Sequence, residues 1–106
     1  MEDRELLELA AKAACLSGYI YECVNGPEFI IPGEEPIRWN PLRDDGDALR
    51  LAVKLGIAPI QDKKDNVCAA YWTDIHCCHV GYNSDPVSAT RRAIVRAAAE
   101  IGKQMA

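Results

Sequence analysis

Hydrophobic and polar positions along the chain follow two periods in turn. Over residues 4–15, Leu6, Leu7, Ala10, Ala13 and Ala14 recur at the three-to-four-residue spacing of a helix, with Asp3 as candidate N-cap. Gly18 lies just beyond, where a left-handed C-cap is often needed. The period then drops to two. Tyr19, Tyr21 and Cys23 alternate with Ile20, Glu22 and Val24, which predicts a strand. Asn25-Gly26-Pro27 reads as a turn, and Phe29-Ile30-Ile31 as a second strand pairing back on the first. Pro32-Gly33-Glu34-Glu35-Pro36 breaks the pattern, and Trp39-Asn40-Pro41-Leu42 follows as a structured loop.

The helical period returns after Asp44-Asp45-Gly46-Asp47. Leu49, Ala52, Val53 and Leu55 supply the apolar side of this second helix, and Gly56 ends it. Residues 57–61 predict a short strand, which Pro59 restricts to a sheet edge. Residues 66–72 and 75–82 predict a hairpin turning at Thr73-Asp74. Ser84-Asp85-Pro86 is a helix start, a capping side chain followed by proline at the first position. The last helix then runs to about Lys103, with Val87, Thr90, Ile94, Ala97, Ala98 and Ile101 facing inward. No repeat or linker interrupts this order. It implies one α+β domain over residues 1–106, layered, with about three helices and an antiparallel sheet of three to five strands.

Composition narrows the function classes. A chain of 106 residues supports one core. Twelve basic against sixteen acidic side chains leave a net charge of −4, which argues against phosphate-driven nucleic-acid binding. No apolar run reaches the roughly 20 residues that span a bilayer. The charged start, Met1 to Glu5, opens no signal peptide, so the expected compartment is the bacterial cytosol. Five cysteines, an odd number without a secretion signal, read as free thiols.

Three segments carry a resemblance. They are residues 39–55, from Trp39-Asn40-Pro41-Leu42 through Asp44-Asp45-Gly46-Asp47-Ala48-Leu49, the stretch from Glu5 to Ala14, and Asp85-Pro86 with residues 89–102. Together they span roughly half the chain, and they resemble the phage ABA sandwich domain family in that family's own order. The resemblance implies a phage or prophage origin and helices on both faces of a sheet, an α/β/α sandwich. It implies no catalytic residues. Residues 19–37 and 63–79 depart from the family's pattern and mark where a specialised task would reside. What the resemblance implies is a non-enzymatic accessory protein of the bacterial host's cytoplasm that acts by binding. Its expected partner is a host or phage protein, and inhibition of a host defence system such as CRISPR is one concrete form.

His76-Cys77-Cys78-His79 is the densest set of reactive side chains. Neighbours on a strand point to opposite faces, so four consecutive residues cannot close one tetrahedral metal site. A hairpin turning at Thr73-Asp74 sets Cys68 opposite His79 and places Cys68, Cys77 and His79 on one face. This set is the alternative, a small zinc- or thiol-dependent enzyme. The leading expectation is no cofactor, with packing as the role of the thiols. Asp44, Asp45 and Asp47 are accounted for as helix-capping groups. Tyr19, Tyr21, Phe29, Trp39 and Trp72 are the candidate anchors for a protein partner. Arg91, Arg92, Arg96 and Lys103 form a sparse basic face on the last helix, the basis of a nucleic-acid alternative. Self-association through a sheet edge, giving a homodimer, is also open.

Overall fold

The computed structural model describes residues 1–105. Helix α1 spans Asp3–Ala13. Strands β1 (Tyr19–Cys23), β2 (Gly26–Ile31) and β3 (Ile37–Trp39) form one antiparallel meander. Helix α2 covers Asp45–Leu55. Strands β4 (Ala58–Asp62), β5 (Val67–Tyr71) and β6 (Cys77–Gly81) form a second meander, and α3 (Pro86–Gln104) closes the chain. The α+β class is as expected. The strands number six and form two antiparallel sheets of three; Trp39, expected in a loop, ends a further strand that pairs with β2. The three helices are as expected as well. The first sheet packs on α1, α1 packs on α3, and α3 carries the second sheet. Helices α1 and α3 therefore join the two sheets. Among the described residues, no helix is long and apolar enough to cross a membrane.

Alanine dominates the centre because helices must approach closely there. Ala10 and Ala11 of α1 and Ala89, Ala93, Ala97, Ala98 and Ala99 of α3 are buried with Leu7 and Val95. At Gly102 a β-carbon would lie 2.2 Å from the Leu9 carbonyl oxygen, so only glycine permits this contact. Burial on α3 extends over residues 93–95 and 97–99, well beyond the expected single stripe, since α1, α2 and β4 to β6 all pack on it. Val87, expected inside, is 55 % exposed.

Several local expectations shift. Asp3 lies inside α1, whose N-cap is Glu2 without a side-chain bond. Gly18 caps nothing: α1 ends at Ala13 with Ala14 as its C-cap, and Cys15 takes the positive φ of 59°. Gly18 is required for space, because a β-carbon there would meet the Ile30 carbonyl oxygen at 2.1 Å. The caps of the other helices hold. Asp44 accepts a bond from the Asp47 amide at 2.8 Å, Asp85 one from the Ser88 amide at 3.1 Å, and Gly56 closes α2 at φ 69°.

Trp39-Asn40-Pro41-Leu42 is a buried joint. Trp39 meets Phe29 edge to face, with ring centroids 5.8 Å apart. Asn40 is 6 % exposed. Its amide Nδ2 donates to the Pro27 carbonyl at 3.3 Å, its Oδ1 accepts from the Leu42 amide at 3.2 Å, and its backbone N–H donates to Asp47 Oδ2 at 2.9 Å. The Leu42 carbonyl in turn accepts from Arg91 Nε at 2.9 Å. One short segment thus ties β2, α2 and α3 together.

Candidate functional site

Helix α2 presents a different face from the one its sequence suggests. Ala48, Leu51 and Ala52 are buried, at the i, i+3, i+4 spacing of a core stripe. Leu49 and Val53 sit one position off that stripe and are 65 % and 74 % exposed. Leu49 does not stand alone. Together with Ala48, Pro59, Pro86, Val87 and Ile94 it lines an open cleft of about 660 Å³ between α2, β4 and the first turns of α3. This is the size range of ligand and side-chain pockets.

The polar groups of the cleft are few and mutually bonded. Gln61 Nε2 donates to Thr90 Oγ1 at 2.8 Å, Thr90 donates to the Pro86 carbonyl at 2.8 Å, and the Tyr82 hydroxyl donates to Gln61 Oε1. Burial raises the ionisation range of the Tyr82 hydroxyl. Asp45 and Arg91 pair across the α2–α3 side of the cleft at 2.7 Å. Lys63, from the β4–β5 loop, also lines it and makes no ion pair among the described residues. The arrangement offers apolar surface, a cation and internally satisfied hydrogen-bonding groups. That suits binding of apolar side chains.

The expected anchors divide. Tyr19 and Tyr21 are 53 % and 57 % exposed on the outer face of the first sheet. Phe29 and Trp39 are corrected: both are buried, 5 % and 8 % exposed, in cross-strand register with Ile20 on the inner face. They hold the sheet to the core and are closed to a partner. Trp72 is half-buried, packs on the core and stacks on His76 at a centroid distance of 5.7 Å.

The Cys68, Cys77, His79 set is also corrected. The β5–β6 loop is Trp72–His76, five residues, and Tyr71 pairs with Cys77. Cys68 therefore lies opposite Val80, while His79 lies opposite Ala69. One residue of register moves a side chain to the other face. Cys68 faces inward with Cys78 and is fully buried, while Cys77 and His79 share the outer face, Sγ to Nδ1 4.0 Å. Among the described residues, no group of three or more His, Cys, Asp or Glu side chains is placed to hold a metal. Burial raises the Cys78 thiol above its usual range. Cys23 is raised by desolvation and by Glu28, whose Oε2 its Sγ–H meets at 3.5 Å.

The basic face of α3 is engaged within the molecule. Arg91 holds Asp45 and the Leu42 carbonyl, Arg92 pairs with Asp3 at 3.0 Å, Lys103 with Glu100 at 3.0 Å, and Arg96 reaches the His79 carbonyl.

Fold and cleft together define a small α+β protein with an open, apolar cleft between α2, β4 and α3. Comparison with known proteins finds no family model, curated protein or solved structure that matches the chain. The cleft residues Leu49 and Val87 were readable in the sequence only as core, since each falls on an apolar position of a helix pattern. The signal that separates them is the surplus: α2 carries more large apolar residues than one buried stripe can use.

Proposed function

We propose that this chain is a phage- or prophage-type accessory protein that acts by holding a segment of a host protein in the cleft between α2, β4 and α3. The observation that carries the reading is the exposed apolar pair Leu49 and Val87 facing a 660 Å³ cleft. Large apolar side chains gathered around a concavity and rimmed by polar groups mark interaction sites. The fitting segment presents two or three apolar side chains and a carboxylate, the latter to meet Lys63. The resemblance in residues 5–14, 39–55 and 85–86 with 89–102 supports a phage-type origin and a host target, such as a component of a defence system.

A pull-down from host lysate with three baits tests the reading. Wild type and a Tyr19→Ala/Tyr21→Ala variant are expected to retain the same protein, and Leu49→Asp/Val87→Asp to lose it. Equal retention by all three baits, or retention that depends on the tyrosines instead, refutes the cleft as the binding site.

A further inference from the structure

The second sheet ends in β6, which pairs with β5 on one side only. The hydrogen bonds at both ends of that pairing define which groups face outward. The Trp72 amide donates to the His76 carbonyl and the Tyr82 amide to the Asn66 carbonyl. In an antiparallel pair such bonded positions alternate, so residues 76, 78, 80 and 82 turn their backbone groups toward β5. Cys77, His79 and Gly81 turn theirs to the open edge. The His79 carbonyl accepts a long bond, 3.4 Å, from the exposed Arg96 side chain, which a strand N–H can replace.

The same two residues carry the reactive side chains of the outer face. Cys77 Sγ and His79 Nδ1 are 4.0 Å apart. A tetrahedral zinc ion, with bonds of about 2.3 Å to sulfur and 2.0–2.1 Å to nitrogen, sets such a ligand pair about 3.6 Å apart. The two side chains are thus within a small adjustment of one metal. They form half of a tetrahedral set. His76 is committed elsewhere, to Thr73 Oγ1 at 2.7 Å and to the Trp72 ring. Cys68 and Cys78 lie on the inner face.

We propose that Cys77 and His79 are a zinc half-site, completed by the same two residues of a second copy of this chain pairing edge to edge through β6. An antiparallel pairing about a two-fold axis at Cys78 sets Cys77 of each copy opposite His79 of the other. All four side chains then emerge on one face, with opposing β-carbons about 4.5–5.5 Å apart. Each Cys77 thiol gives up its proton to solvent as the metal binds, so two protons leave per zinc. The product is a Cys2His2 site and a continuous six-stranded sheet. The cleft borders β4, the far edge of the same sheet, and stays open in both copies. This inference is independent of the cleft's role.

The test uses the whole chain, stripped with chelator and titrated with zinc chloride under reducing conditions. Sedimentation is expected to change from monomer to dimer at one zinc per two chains. Cobalt in place of zinc is expected to show the intense absorption of a tetrahedral thiolate site. Cys77→Ser and the exposed-site variant His79→Ala are each expected to abolish both signals, while Cys15→Ser/Cys23→Ser leaves them intact. A sedimentation profile unchanged by zinc, a dimer that forms equally in chelator, or cobalt binding that survives loss of both Cys77 and His79 overturns the proposal.

Discussion

Asn40→Ala removes one amide and tests whether the Trp39–Leu42 segment is the joint of the fold. The side chain is 6 % exposed and makes two hydrogen bonds to backbone, one to the Pro27 carbonyl and one from the Leu42 amide. Alanine leaves both backbone groups without that partner. An orphaned buried polar group costs about 1–3 kcal/mol. The Leu42 amide is buried and sits high in that range; the Pro27 site is partly buried and sits lower. The expected loss is roughly 2–4 kcal/mol, a large part of the 5–15 kcal/mol that holds a typical domain together. With an unfolding entropy of about 2.1 cal/mol/K per residue, the midpoint of thermal unfolding falls by about 9–18 °C. Urea unfolding followed by tryptophan fluorescence reads the loss, since Trp39 adjoins the substitution and is buried. Asn40→Asp sharpens the test. It keeps an acceptor for the Leu42 amide but loses the donor to Pro27 and places a carboxylate near that of Asp47. Burial and a like charge raise that carboxyl's folded pKa above the unfolded value of about 3.9. Its destabilisation is then full at neutral pH and shrinks as pH falls through the folded pKa. A stability for Asn40→Ala within about 0.5 kcal/mol of wild type, the range of an ordinary surface change, refutes the joint.

Asp44→Ala and Asp85→Ala are each expected to lose about 1 kcal/mol, because each carboxylate accepts an amide at the start of its helix, while Glu2→Ala, with no such bond, stays near zero in the same urea series. Brief iodoacetamide pulses read by mass spectrometry are expected to label the exposed Cys15 first and to leave the buried Cys68 untouched. Cys78 is expected to react slowly at neutral pH and faster as pH rises, since burial pushes its thiol up and keeps it protonated. Labelling of Cys68 or Cys78 as fast as Cys15 in folded protein contradicts that placement.

What could be read from the sequence was whatever local chemistry decides. The starts of α2 and α3 and the end of α2 are set by Asp44, Asp85-Pro86 and Gly56, and all fall where those residues imply. The alternation from Tyr19 to Cys23 gives β1, and Pro59 does stand on an edge strand. The third strand of the first sheet was hidden because Ile37-Arg38-Trp39 is too short to show a period and is formed by pairing with β2. Gly18 looks like a cap in sequence and Gly102 carries no local signal, yet each is demanded by a carbonyl of a segment remote in the chain, Ile30 and Leu9. No local pattern reports such a contact.

The candidate sites were harder to read for one shared reason: each depends on a phase rather than a period. On α2 the helical period was correct, but the buried stripe runs through Ala48, Leu51 and Ala52, one position from Leu49 and Val53. Ala48 and Ala52 flank Leu51 on the side that packs on α3, and Leu49, one position round, lines the cleft. On the β5–β6 hairpin the alternation was correct too, but the loop holds five residues, with Thr73 Oγ1 accepting the Ile75 and His76 amides. That loop moves the register by one, which sets Cys68 on the inner face with Cys78 and leaves Cys77 and His79 on the outer face without it. A period constrains which residues share a face; tertiary packing and loop length choose which face is inside. The three-ligand site within one chain fails on that choice. The two-ligand arrangement proposed at the β6 edge uses the face that this choice leaves outward.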